Sequence, residues 1–453
     1  MMSRRSSRIP FVLLAVAAAL AAGCGSPGSD NGGGGSQAGA ALSAGFDTSQ
    51  KVTLTMWDTE NSPGPSKAED ELIQRFEQTY PNVTVKRVVK NFDDYMATIK
   101  LAASSSDAPD VFQGNEGAVD RALVKAHLIV PLDGYAKAYG WDTRFGSSAA
   151  LNPLRWSSDG NQWGVGQLWG IAQKAEVLGA FYNKATLQRL GLQVPTTFDQ
   201  FQQSLAVAKS KGVPPIMVGN LDRWPMGHVF MVLQARFDQA ASISNWTYGH
   251  AGATFDTAGT RKAATVLQQW SDKGYFEDGF NGVSQENAAA RFGKGEGLYF
   301  ITGPWENQTF AGPLGDGVGF FPLPSLDGTP GAPTTGSLSL PFHISSHSQN
   351  QAVAAAFINF ITDGNAAKVV IRNGDLPAAN PGAAAVDPNS SLAAISAAWS
   401  EKAKAGTLTP YLDWATPTMG DTLFGGLQQL SENRETPADF AAAVQQDWVK
   451  THS

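Results

Sequence analysis

The sequence predicts an α/β protein, built as one large two-lobed body or as two to three domains. Strand-like and helix-like patterns alternate from Lys51 onward, which implies a parallel sheet with covered faces. About 400 residues follow the N-terminal leader, enough chain for a sizeable core. The only cysteine is Cys24, so no intramolecular disulfide can form and that core must hold the body together.

Arg4, Arg5 and Arg8 precede an apolar run from Ile9 to Ala22, broken only by Pro10, and Gly23-Cys24 follows. A basic start, a short apolar stretch and small residues before a cut describe a secretory signal over residues 1–23. The run is shorter than the roughly 20 residues a membrane-spanning helix needs. Cys24 at the cut, with Leu20 four residues earlier, resembles a lipobox, and Cys24 is expected to carry lipid. Residues 24–47 are rich in Gly, Ser and Ala; they cannot bury enough surface to fold and are expected to act as a flexible linker. Losing the three leader arginines takes the formal charge from −7 to −10. An acidic body argues against nucleic acid, whose binding proteins must neutralise phosphates.

The folded part opens with Lys51-Val-Thr-Leu-Thr-Met-Trp57, an alternating strand. Ser66 with Glu69 reads as a capping box, and Leu72, Ile73, Phe76 and Tyr80 share the face of the helix that Pro81 stops. Val83 to Val89 is a second strand. A helix through Tyr95, Ile99 and Ala102 leads to a third, Ala108 to Phe112. Later strands are expected at Ala180–Tyr182, Leu298–Ile301 and Val318–Phe321. Thr197 caps a helix that Gly212 closes, and Thr436-Pro437 opens the last one. No repeat of 20 to 50 residues is visible.

Catalytic constellations are absent from the pattern. The six histidines include no His-Glu-x-x-His, and His343 and His347 lie in a strand or loop rather than on one helical face. There is no Gly-x-Ser-x-Gly elbow. Gly293-Lys-Gly-Glu-Gly297 lacks the ending of a phosphate loop and reads as a turn before a strand. Aromatic and polar residues in loops after strands stand out instead: Trp57 to Asn61, Gln113 to Glu116, Asp222-Arg223-Trp224 and Gly303-Pro304-Trp305-Glu306. In open parallel sheets, ligands bind beyond the carboxyl ends of the strands. Tryptophan can stack on a sugar face while Asp, Asn and Gln satisfy hydroxyls. Any one of the twelve tryptophans could equally be a packing residue, and Trp57, inside its strand, is expected to be one.

The order of these segments resembles the extracellular sugar-binding proteins of ABC importers, the maltose-binding-like group. The resemblance runs from Lys51 to Trp448. It is carried by Val52 to Trp57, Phe76 to Val85, Tyr95 to Ala103, Ala108-Pro-Asp-Val-Phe112, Phe181-Tyr-Asn-Lys184, Pro195-Thr-Thr-Phe198, and Ala290 to Gly297 leading into Gly303-Pro-Trp305. It implies a two-lobed, type II periplasmic-binding-protein-like fold, with a ligand cleft between lobes joined by hinge crossings. The lobes would be 48–160 plus 303–345, and 161–302 plus 346–453. The resemblance further implies Trp305 as a stacking residue, Trp224 with Asp222 in the second lobe, and Asn115 and Glu116 after the third strand. Asp58, Glu60, Gln173, Ser337 and Asp413 are further candidate ligand contacts.

The expected function is a non-catalytic lipoprotein receptor, a monomer without cofactor or metal. It would capture a sugar, an oligosaccharide by preference, and pass it to a membrane permease driven by its ATPase. Three alternatives stay open: a secreted glycoside hydrolase or lyase, a binding protein for a non-sugar solute, and a purely structural lipoprotein.

Overall fold

The computed structural model of the protein describes residues 45–379, 382 and 384–452. Cys24, the leader and nearly all of the linker lie outside them.

Alternation in Val52–Asp58 turns Leu54, Met56 and Asp58 inward, and this strand becomes the middle of a four-stranded sheet. It pairs in parallel with Val83–Val89 on one side and Val111–Gln113 on the other. Phe342–Ile344 adds an antiparallel edge to Val111–Gln113. The helix Pro63–Thr79 connects the first two strands and starts earlier than expected. Ser62 is its capping residue and Pro63 its first, so Ser66 and Glu69 form no capping box. Proline suits that position because its φ is already helical and its missing N–H would have gone unpaired. Glu69 is instead buried on the inner face with Leu72, Ile73 and Phe76.

In the second sheet, Gly179–Asn183 lies between two antiparallel partners, Val318–Phe321 and Tyr299–Thr302, and Ile216–Met217 runs parallel to the latter. Its covering helices include Trp224–Phe237, Ala258–Asp272, Met419–Ser431 and Pro437–His452, which pack on one another around Phe230, Trp246, Trp270 and Phe440.

A small third sheet links the two. Lys174–Val177 pairs antiparallel with Thr334–Ser339, which pairs parallel with Leu408–Thr409. Lys174–Val177 continues through Leu178 into the second sheet, while Thr334–Ser339 continues through Leu340 into the first. These are two crossings between lobes. Behind them the core is continuous: Leu54, Phe76 and Phe357 belong to the same buried cluster as Phe181, Phe310 and Phe320. The result is the two-lobed α/β arrangement with hinge crossings that the sequence led us to expect.

The expected lobe boundaries need four changes, the first being that Pro304–Glu306, assigned to the first lobe, follows directly on Tyr299–Thr302 of the second sheet. Val318–Phe321, assigned to the first lobe, pairs with Gly179–Asn183 in the second sheet, where Phe320 meets Phe181 at 4.9 Å between ring centres. Gln351–Ile361 and Gly364–Arg372, assigned to the second lobe, pack on Pro63–Thr79 of the first, with Phe357 5.1 Å from Phe76. Residues 161–173 also stay with the first lobe, since Gln167–Leu168 pairs with Arg155–Trp156 and Ile171 bridges to Phe342. Short apolar segments carry no mark of which sheet will bury them; matching aromatic surfaces decide it.

Glu69 generates a test. Burial raises its carboxyl from 4.5 to about 8, and neither oxygen has a hydrogen-bond partner among the described residues. The folded protein therefore holds this proton up to about pH 8, whereas the unfolded chain releases it near 4.5. The native state binds more protons in that window, so this group costs stability as pH rises through it. Glu69→Gln stays neutral throughout. Urea midpoints should show little difference from the parent near pH 4.5 and a more stable variant near pH 8; a gain that does not grow with pH would contradict the assignment.

Candidate functional site

Three strand ends of the first sheet converge on one cleft. Thr59, Glu60 and Asn61 follow Val52–Asp58, Phe92 and Asp93 follow Val83–Val89, and Asn115 follows Val111–Gln113. The facing wall comes from the second lobe: Asp222, Trp224 and His228, Gln285 and Glu286, Trp305 and Glu306, Tyr411, Asp413 and Trp414, and Phe424. Lys174, Glu176, Leu340 and Asp375 form the floor at the crossings. The cavity volume is ≈ 230 Å³.

Each side chain is held for a local reason. The Glu60 backbone N–H donates to Asp58, and the Asp58 carboxylate is gripped by Arg87 at 2.7 and 2.8 Å. Gln113 donates to Glu60 at 2.8 Å and accepts from the Thr59 N–H, fixing the first loop against the third strand. Asn115 donates its backbone N–H to Asp120, which is paired with buried His343 at 3.0 Å. Burial opposes charge on His343, but Asp120 outweighs it and raises the imidazole above its usual range. His343 and His347 both have structural partners, Asp120 with the Trp169 carbonyl and the Ser105 carbonyl respectively.

On the second wall, Arg223 adopts a φ of 64°, an uncommon left-handed value for a non-glycine residue, just before the helix that Trp224 begins. This turn aims Trp224 into the cleft, and His228, four residues on, lies on the same helical face. Their ring centres are 5.0 Å apart; His228 is also 5.4 Å from Trp305 and 5.8 Å from Tyr411. Burial among these rings lowers the His228 pKa to about 3, so it is neutral. Trp305 folds back over Gly303, where a Cβ would meet its ring at 2.0 Å. That contact explains why the Gly-Pro-Trp turn needs its glycine.

The charges are unbalanced. Lys174 pairs closely with Glu60 and lies 3.8 Å from Asp375. Burial disfavours the ammonium, yet Glu60, Asp375 and Glu69 together raise its pKa. Asp375 is lifted to about 6 by burial despite Lys174. Burial likewise raises Glu306 and Asp413 to about 7, and Asp93 to about 6 with help from Asp222 across the cleft. The walls touch in this conformation: Phe92 lies 6.5 Å from Trp224, Asn61 donates to Glu286 at 3.4 Å, and Gly117 sits against the Trp414 carbonyl.

Residues 60–366 match the family described as bacterial extracellular solute-binding protein. The chain belongs to that family. A multiple sugar-binding protein of Streptococcus mutans is 23% identical over 307 residues, spanning 65% of this chain and 68% of that protein. Two solved structures share the fold. One, from work on xylan utilisation by Caldanaerobius polysaccharolyticus, has a TM-score of 0.74 at 24% identity, covering 87% of this chain and 99% of that one. The other, a chitin oligosaccharide binding protein, has a TM-score of 0.76 at 21% identity over 89% and 99%.

Among the residues singled out from sequence, the solute-binding protein brings six to the cleft: Glu60, Asn115, Asp222, Trp224, Trp305 and Asp413. Four lie elsewhere. Asp58 is sequestered by Arg87. Glu116 turns away into the hinge, where burial and Asp120 push its carboxyl well above the usual range. Gln173 donates to the Ile361 carbonyl, and Ser337 faces Glu176 across the small sheet, off the cleft wall. Trp57 is half-buried outside the cleft, with Lys90 4.1 Å over its ring. Lys174, His228, Tyr411, Phe92 and Phe424 were missed. His228 was within reach, since it is spaced one helical turn after Trp224; Lys174 and Asp375 meet only through tertiary structure.

Lys174→Met should destabilise the solute-binding protein by about 3–5 kcal/mol, the usual cost of leaving a buried ion pair half-made. Urea denaturation measures it, and adding Glu60→Gln should recover part of the loss. An unchanged midpoint in the single variant would show that Lys174 does not neutralise this floor.

Proposed function

We propose that this protein is the substrate-binding component of an ABC importer, capturing a saccharide in the interlobe cleft and delivering it to a permease. The observation that carries this reading is the pairing of half-buried aromatic rings lining the cleft, Trp224 and Trp305, with carboxylates and an amide at the ends of strands from both lobes. Stacked rings bind the C–H face of a sugar, and acceptors such as Asn115 and Asp222 take its hydroxyl protons. Family membership and the sugar-binding names of its relatives support the same reading, and the role is binding rather than catalysis. A ligand that touches both walls stabilises the closed arrangement by its greater affinity for that state.

A thermal-shift panel of mono- and oligosaccharides tests the proposal. At 100-fold excess over Kd, a ligand should add about 2.7 kcal/mol of stability. Trp305→Ala should erase that shift while the unliganded protein still unfolds in a single cooperative transition, at a lower temperature because the ring also packs on the second-lobe core. A shift with amino acids and with no sugar would sink the saccharide assignment.

The reading extends to the tether. Lipid on Cys24 would hold the receptor beside its permease and raise its effective concentration there. Two or more acyl chains anchor stably, where one does so only marginally. Cys24→Ser should move the protein from the membrane fraction to the medium; a wild-type protein already free in the medium, with an unmodified thiol by mass spectrometry, would refute the anchor.

A further inference from the structure

Resting on the saccharide reading, we propose that the cleft selects an amine-bearing saccharide, whose ammonium group lies against the second-lobe aromatic rings and supplies the counter-charge that the walls lack.

Lys174 is the one lysine or arginine lining the cleft among the described residues, and it is already engaged by Glu60 and Asp375. Asp93, Asp222, Glu286, Glu306 and Asp413 also line the cleft, and none of them forms an ion pair among the described residues. They come from five separate segments and both lobes, so closure concentrates them. Asp93 and Asp222 oppose each other across the gap. Arg223 offsets Asp93 in part, Asp222 accepts from the Gln285 N–H and Glu286 from Asn61, but a ligand that excluded water here without bringing positive charge would leave the net negative charge of the walls unneutralised, which is the costly arrangement for buried charge.

Two unpartnered polar atoms give an independent indication. His228 Nδ1 and Gln285 Oε1 are buried on the wall without a hydrogen bond among the described residues. The Gln285 oxygen can only accept, and neutral His228 leaves one ring nitrogen that can only accept. Gln285 Oε1 is thus a buried acceptor without a donor, and the His228 tautomer with Nδ1 unprotonated adds a second beside it. An ammonium brings three donors and a full charge, whereas a hydroxyl brings one donor and none. The rings of Trp224, Trp305 and Tyr411 around His228 add the third element, because an ammonium over an aromatic face is attracted by its quadrupole. The raised carboxyls of Glu306 and Asp413 fit this picture: without a cation each is partly protonated at neutral pH, and an ammonium would restore its charge.

The experiment compares glucosamine oligomers with their N-acetylated counterparts of matched length, using isothermal titration of the mature protein at neutral pH and low salt. The amine-bearing series should bind at least about tenfold tighter, equivalent to about 1.4 kcal/mol, and added salt should narrow the gap. Glu306→Gln with Asp413→Asn should weaken binding of the amine-bearing oligomer and bring the two series closer together. Equal affinity, or preference for the acetylated series, would overturn this proposal and leave the saccharide reading standing. Binding of neither these nor any saccharide in the thermal panel would overturn both. A stability shift with calcium alone that matches the glucosamine response would assign the acidic wall to a metal instead.

Discussion

The ion pairs of Lys174 hold the cleft together. One ammonium on a crossing strand meets Glu60 from the first-strand loop and Asp375 from the segment after Gly364–Arg372. A buried cation of this kind is expensive to desolvate and is tolerated only with several partners. Here the cost fixes a place: the loop that carries Glu60 and Asn61, the crossing that carries Glu176, and the return segment all converge on one atom. Glu69 beneath it has no hydrogen-bond partner among the described residues and stays protonated well above the ordinary range. The floor holds as much negative charge as one lysine can neutralise, and the remaining carboxyl responds by keeping its proton.

The same logic recurs one layer out. Asp58 is bound to Arg87 and Asp120 to His343, and in each case the residue beside the anchored acid is the one that reaches the cleft. Glu60 follows Asp58 by two positions, and Asn115 donates its backbone N–H to Asp120. Ion pairs behind the surface position acceptors on it. The cations are therefore consumed in the supporting layer, and the lining is left acidic.

Much of the fold was legible because its strands alternate and its helices carry caps. Val83–Val89 and Val318–Phe321 fall where the pattern put them, and Thr197 does accept from the Gln200 N–H. Sheet membership was not legible, since Val318–Phe321 is apolar enough for either lobe and only Phe181 decides between them. Within the candidate site, Trp224, Trp305 and Asn115, taken from loops after strands, line the cleft. Asp58 and Glu116 do not, because neighbours one residue along a strand or loop face opposite ways. Acids look alike in a sequence; whether one meets solvent, an arginine or a ligand depends on partners far along the chain.

Closure itself follows from these contacts. The walls meet through small, mostly apolar touches: Phe92 with Trp224, Gly117 with Trp414, and Trp163, which stacks on Trp156 of the first lobe and meets Tyr248 of the second at 4.5 Å. Gly117 can make its contact because its φ of 75° and missing side chain let backbone lie on backbone. Against these stand like charges, Asp93 facing Asp222, which Arg223 offsets only in part. Apolar contact favours the closed state and carboxylate repulsion opposes it, which leaves the balance to whatever occupies the cleft. A ligand shifts such an equilibrium only by its differential affinity for the two states. One that donates hydrogen bonds to both acidic walls removes the term opposing closure and adds contacts present only when closed. Coupling between binding and closure thus arises from charges that the protein leaves uncompensated, rather than from any single moving part.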